Sequence, residues 1–143
     1  MKKVVVTGTF DHLHKGHLFL FKKARALGDH LTVVIARDKT VKQIKGEKPW
    51  QKEKIRLNAV KKVEWVDRAI LGKLTKDKLK IIEELKPDIL ALGYDQKAFT
   101  QKIRLELKKR GLKTKVIRLP AFKPKIYKSS IIKKNRENST NLA

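Results

Sequence analysis

An apolar run, Val4-Val5-Val6, passes directly into Gly8-Thr9-Phe10-Asp11-His12-Leu13-His14-Lys15-Gly16-His17, and that segment passes into an amphipathic stretch from Leu18 to Leu27. A buried strand that turns through glycine into a helix is the opening of a β-α unit. It commits the downstream sequence to a sheet with crossover helices. The junction is also a place to hold phosphate. The first N–H groups of a helix have no partner inside it, and the helix dipole favours negative charge there. His14 and His17 are three apart, which on a helix puts both on one face. Gly16 carries no side chain, so a ligand can approach the backbone between them.

The rest of the chain repeats the alternation. Val4 to Thr7, Thr32 to Ala36, Arg68 to Leu71, Ile89 to Leu92 and Thr114 to Arg118 read as strands. Lys15 to Leu27, Lys52 to Val63, Lys76 to Leu85 and Lys97 to Lys109 read as helices. Gly28, Gly72 and Gly111 punctuate segment ends, and Pro87 follows a helix where a stop is expected. The strands are continuously apolar, as in a sheet covered on both faces. The expected fold is α/β: one Rossmann-like, doubly wound sheet of about five parallel strands with helices on both faces. Ligands of such sheets bind beyond the carboxyl ends of the strands at the topological switch point. The first strand brings the Gly-His segment to that edge, and the fourth brings Gly93-Tyr94-Asp95-Gln96. One domain is expected over 1–134, with a polar tail at 135–143 that frays.

The 143 residues include no Cys, which excludes disulfides, thiolate metal sites and cysteine nucleophiles and is compatible with a cytoplasmic location. No apolar stretch is long enough to span a bilayer. The N-terminal Lys2-Lys3 and three valines read as a first strand and not as a signal peptide. The formal net charge of +23 admits an anionic partner such as a nucleotide, a phosphorylated substrate or nucleic acid. The lysines are spread along the whole chain, however, so most read as a lysine-rich composition of the kind found in heat-adapted proteins. No zinc-finger spacing, RNA-binding aromatic signature or helix-turn-helix accompanies the charge, which argues against nucleic acid.

Each functional segment has a plainer reading beside it. His14 and His17 could only hydrogen-bond locally. With His12 they could bind a transition metal, but no carboxylate pattern completes a protein-only site. Lys45, between Lys42 and Lys48 in a loop with Gly46, could be part of a solvated charge run. Gly93 to Gln96 could be a turn with Asp95 as a helix N-cap, and Ser129-Ser130 an ordinary N-cap. Trp50, Trp65, Phe99, Phe122 and Tyr127 could stack on a base or flavin or lie in the core. Phe122 and Tyr127 are favoured because they are near the serine pair.

Thr9-Phe10-Asp11 followed by His14-Lys15-Gly16-His17 resembles the HxGH signature of the nucleotidylyltransferase superfamily. Its members include cytidylyltransferases, pantetheine-phosphate adenylyltransferases and FMN adenylyltransferases. Ala36-Arg37-Asp38, Lys45, Pro49, Arg56 and Val66-Asp67 match counterparts in its cytidylyltransferase-like branch, so the likeness runs from Lys3 to about Lys133. The resemblance implies an enzyme in which a substrate phosphate attacks the α-phosphate of a nucleoside triphosphate in line. It also implies Mg²⁺ accompanying ATP, small-molecule substrates and a homodimer. Catalytic roles fall on His14, His17 and Lys45. Nucleotide binding falls on Gly8, Thr9, Phe10, His14, His17, Gly93, Tyr94, Asp95, Ser129 and Ser130. Asp11 and Asp38 orient substrate or Mg²⁺.

Gly93-Tyr94-Asp95-Gln96 resembles the archaeal-type FMN adenylyltransferases, which points to ATP and FMN as substrates. The alternative within the family is a CTP-dependent enzyme acting on a small phosphorylated alcohol such as glycerol 3-phosphate. An alternative outside enzymology is a nucleotide- or nucleic-acid-binding protein that has lost catalysis. The family's Arg ahead of the serine pair has no clear counterpart here. Arg118, Lys123 or Lys125 could stand in.

Overall fold

The computed structural model describes residues 1–75, 77, 79–93 and 97–120, with 97–100 as helical backbone only. Among these residues, five strands form one sheet: β1 (Lys3–Gly8), β2 (His30–Ile35), β3 (Arg68–Leu71), β4 (Ile89–Leu92) and β5 (Lys115–Arg118). Their order is β3-β2-β1-β4-β5, and every pairing is parallel. The chain therefore winds outward from β1 in both directions. The switch point lies beyond the carboxyl ends of β1 and β4.

Among the described residues, five helices cover the sheet: α1 (Lys15–Arg25), α2 (Asp38–Lys45), α3 (Glu53–Lys61), α4 (Lys80–Leu85) and α5 (Lys97–Lys109). Alternation along the strands divides the core in two. Val4 and Val6 of β1 pack with Phe21 and Ala24 of α1 and Val60 of α3. Val5 points the other way and packs with Ile82 of α4 and Leu107 of α5. The doubly wound fold expected from the sequence is the fold observed, with boundaries shifted by a few residues.

Two differences have clear causes. Lys45, expected between Lys42 and Lys48 in a loop with Gly46, belongs to a helix, Asp38–Lys45. Only Val41 is buried in it, and its N-cap residue Arg37 offers no side-chain cap; the Asp38 N–H is instead accepted by Glu53 from the next helix. Its sequence signals are Asp38 in the first turn, Lys42 and Lys45 in the last, and Gly46, which closes it with φ 81°. Lys45 consequently sits in the last turn of a helix. The fourth helix, expected from Lys76, begins at Lys80. Asp77 forms a turn ahead of it, its carboxylate accepting the N–H of Leu79 at 3.1 Å and its carbonyl accepting the Thr75 hydroxyl at 3.0 Å. The proposed tail at 135–143 lies outside the described residues.

Candidate active site

The turn from β1 into α1 is held in an uncommon backbone. Phe10 and His12 have φ of 54° and 53°, in the left-handed region that ordinary residues avoid. Phe10 tucks its ring inward, 6% exposed, edge-on to Phe21 at 5.0 Å and to His17 at 5.5 Å. Gly8 makes room for that ring. A Cβ on Gly8 would come within 2.7 Å of Phe10 Cζ. In the structure, Gly8 thus serves the packing of Phe10.

His14 and His17 come together, by a different route from the one expected. His14 is not on the helix. It is the extended N-cap residue of α1. Its Nδ1 accepts the N–H of Gly16 at 3.0 Å, and His17 Nδ1 accepts the N–H of His14 at 3.3 Å. The two rings form a capping box with imidazoles in both positions. They stack at 3.8 Å between centroids, 25° apart.

These bonds settle the tautomers. A backbone N–H can only donate, so each Nδ1 carries a lone pair, and the proton of each neutral ring is on Nε2. Burial pulls the His17 pKa down to about 3, helped by neighbouring His14 and opposed by Asp11. Burial lowers His14 as well. Near neutral pH the pair is two uncharged Nε2–H donors. The local hydrogen bonds fix the rings through their Nδ1 atoms. The Gly16 N–H is engaged by His14.

Asp11 spends its carboxylate on the loop that precedes α3. Its oxygens accept the N–H of Trp50 at 2.7 Å and of Gln51 at 2.9 Å. Gln51 answers by accepting the N–H of His12 at 3.0 Å. Asp38 is engaged at the start of α2. Its Oδ2 accepts the Glu53 N–H at 3.2 Å, while Glu53 Oε1 accepts the Asp38 N–H at 2.9 Å. Burial pushes the Asp38 carboxyl up, but the Arg56 guanidinium and the Glu53 N–H outweigh it and hold the pKa below the ordinary value.

Arg56 links these pieces. Its side chain is fully buried. It donates to Asp38 at 2.7 Å, to the Thr9 carbonyl at 2.8 Å and to the Gln51 carbonyl at 3.0 Å. A buried guanidinium is tolerated only with its donors satisfied and its charge paired. Here both conditions are met by Asp38 and by backbone of the turn and the loop. Sequence reading placed Arg56 as a family counterpart without a role. Its burial has no sequence signal, since it is one of 37 Lys and Arg residues.

Beside this framework, between α2 and the start of α3, lies an open cleft of about 670 Å³. Arg37, Lys39, Lys42 and Lys48 contribute cations to it, Asp38 and Glu53 acids, and Leu74 an apolar wall. Lys45 is exposed and does not line it. No group of three His, Cys, Asp or Glu able to hold a metal occurs among the described residues. Gly93 closes β4 at the same edge. Tyr94, Asp95, Gln96, Phe122, Lys123, Lys125, Tyr127, Ser129 and Ser130 lie outside the described residues, as does the side chain of Phe99.

A sequence profile of the cytidylyltransferase-like family matches residues 5–135. The chain belongs to the cytidylyltransferase-like family. Among its relatives is the FAD synthase of Aciduliprofundum boonei, 48% identical over 85% of this chain and 80% of that one. The FAD synthase of Thermococcus sibiricus is 40% identical over 91% and 88%. The crystal structure of a lipopolysaccharide core biosynthesis protein from Thermoplasma volcanium superposes with a TM-score of 0.80 at 41% identity, covering 85% of this chain and 98% of that one. A pantothenate synthetase from Thermus thermophilus shares the fold at 14% identity, TM-score 0.64, over 93% of this chain and 64% of that one. The HxGH resemblance of His14 to His17 is thus family membership. No helix among the described residues is long and apolar enough to cross a membrane.

Proposed function

We propose that this nucleotidyltransferase is an FMN adenylyltransferase, transferring AMP from ATP to the phosphate of FMN to give FAD and pyrophosphate. One observation carries the proposal: two imidazoles, locked as neutral Nε2–H donors, at the carboxyl edge of β1 in a chain whose curated relatives are FAD synthases. The cytidylyl alternative keeps only the family's general name in its favour.

The chemistry asks little proton transfer of the protein. A phosphate monoester loses its second proton near pH ~6, so the FMN phosphate is already a nucleophile at neutral pH. Its oxygen attacks the α-phosphorus of ATP, the bond from that phosphorus to the bridging oxygen breaks, and pyrophosphate leaves with the electron pair. Catalysis then consists of positioning and of stabilising charge on the phosphoryl oxygens. His14 and His17 donate there from Nε2. The Thr9 and Phe10 backbone forms the floor. Lys45 and the cleft cations Lys42 and Lys48 supply positive charge on the β2 flank. Gly93, Tyr94 and Asp95, with Ser129 and Ser130, are assigned to the nucleotide on the β4 flank. Asp11 and Asp38 act by holding the loop and helix starts around the substrates.

Mg²⁺ is assigned to the ATP complex. It would neutralise phosphate charge when bound. We place the reaction in the cytoplasm on the absence of Cys, and a homodimer on family resemblance. The test is pyrophosphate release across a panel of triphosphates and acceptors. ATP with FMN should be turned over. Turnover of CTP with glycerol 3-phosphate and none with ATP and FMN would overturn the assignment. So would RNA binding with a steep salt dependence and no turnover of any pair.

A further inference from the structure

The end of the sheet opposite the histidine turn carries a separate cavity of about 230 Å³. Lys3 and Val5 of β1, His30 and Thr32 of β2, Arg68 of β3 and Leu85 of α4 line it. The register explains the grouping. Lys3 lies beside His30, Val5 beside Thr32, and Thr32 beside Arg68. Residues two apart on a strand share a face, so all five stand on the face that Val5 presents to α4. β1 and β3 flank β2, which puts a cation on either side of His30 and Thr32.

These cations are not matched by acids. No acidic side chain among the described residues lines the cavity or pairs with Lys3 or Arg68. The aspartates at this end of the sheet serve other groups. Asp29 accepts the Lys2 N–H at 2.8 Å, and Asp88 accepts the Lys3 N–H at 2.7 Å. Asp67 accepts the Leu31 N–H at 2.8 Å and pairs with Arg25 at 2.9 Å. Thr32 is buried, at 6% exposure. The partner of its hydroxyl among the described residues is His30 Nδ1 at 3.5 Å, the outer limit of a hydrogen bond. A buried hydroxyl ordinarily finds a closer partner. Like charges gathered beside apolar walls such as Val5 and Leu85 focus the field and draw in an anion. We propose that this cavity binds a small phosphate-type oxyanion, held by Lys3 and Arg68 with the Thr32 hydroxyl and the His30 ring between them. Its volume is below the roughly 300–1,000 Å³ of pockets for drug-sized ligands, which fits inorganic phosphate or pyrophosphate and not a nucleotide. The length of β1, about 16 Å, separates it from the turn that carries His14 and His17. The site therefore stands apart from the transfer reaction and does not rest on the adenylyltransferase reading.

The test titrates inorganic phosphate, and separately pyrophosphate, into the full chain at an ionic strength held constant with sodium chloride. Backbone amide resonances report the position of binding. Shifts at Lys3, His30, Thr32 and Arg68 should saturate. Saturation by phosphate identifies a monophosphate site, and saturation by pyrophosphate alone a diphosphate site. The double variant Lys3→Gln/Arg68→Gln changes two exposed side chains and keeps the N–H that Asp88 accepts. It should raise the Kd read at His30 and Thr32 about tenfold or more. Any shift at His14 and Gly16 reports the catalytic edge and should keep the Kd of the unmutated chain. Shifts that grow linearly with both anions, or a Kd at His30 and Thr32 unchanged in the double variant, overturn the proposal.

Discussion

Arg56 donates to the carbonyl of Thr9 at 2.8 Å across 47 positions of sequence, and so ties α3 to the turn that carries the histidines. The same guanidinium neutralises Asp38 at the start of α2. One buried cation therefore sets the spacing between the turn after β1 and the helix starts after β2.

Arg56→Met removes that link and leaves the Thr9 and Gln51 carbonyls and the Asp38 carboxylate without it. Breaking a buried pair from one side costs about 3–5 kcal/mol. Arg56→Lys should recover only part, because an ammonium cannot span three acceptors with a planar fork. Chemical unfolding of both variants measures this. A midpoint within error of the unmutated chain would show that the network is dispensable.

Gly8→Ala should destabilise by about 1–3 kcal/mol, the range for overpacking a filled site. The new methyl meets the Phe10 ring at 2.7 Å, and Phe10 already sits at positive φ. Gly8→Ala combined with Phe10→Leu should restore stability, because the shorter side chain vacates the space. Equal destabilisation in the single and double variants would place the cause elsewhere.

Acid should weaken the fold through His17. Its pKa is about 3 when folded, against 6.5 for an ordinary histidine. The unfolded chain therefore binds more protons between those values. The stability of the neutral, buried ring is fully present above pH 6.5 and is lost as pH falls from 6.5 toward 3. His14 adds to the effect in the same direction. Proton NMR of the His17 ring should show no titration from about pH 8 to about pH 5. A midpoint near 6.5 would mean a solvated ring.

Asp11→Asn keeps one acceptor oxygen for a loop that now uses two. The loop should loosen, with faster amide exchange at Trp50 and Gln51. Exchange rates equal to those of the unmutated chain would show that the loop is held by other contacts.

Much of the fold was legible because strands buried on both faces must be continuously apolar. Val4–Val6 and Ile89–Leu92 could be read as strands from their composition alone. Helix α2 was not read from the sequence, because in eight residues its apolar face amounts to Val41 and Ile44, of which only Val41 is buried. In the site, the spacing of His14 and His17 located the pair but misassigned its geometry. A histidine is not an ordinary N-cap residue, and its capping depends on a ring nitrogen that sequence does not orient. The roles of Asp11 and Arg56 lie in contacts spanning 39 to 47 positions, which no local pattern encodes.

The central claim is that His17 acts from Nε2 while its Nδ1 only holds the turn. His17→Asn separates the two roles. The Asn oxygen can still accept the His14 N–H and keep the cap, but nothing reaches the position of Nε2. The decisive measurement is kcat for FAD formation from ATP and FMN by His17→Asn, with melting temperature taken alongside. A loss of about 10²–10³ in kcat with melting within a few degrees of the unmutated chain is the expected result. Retention of full turnover would contradict the account.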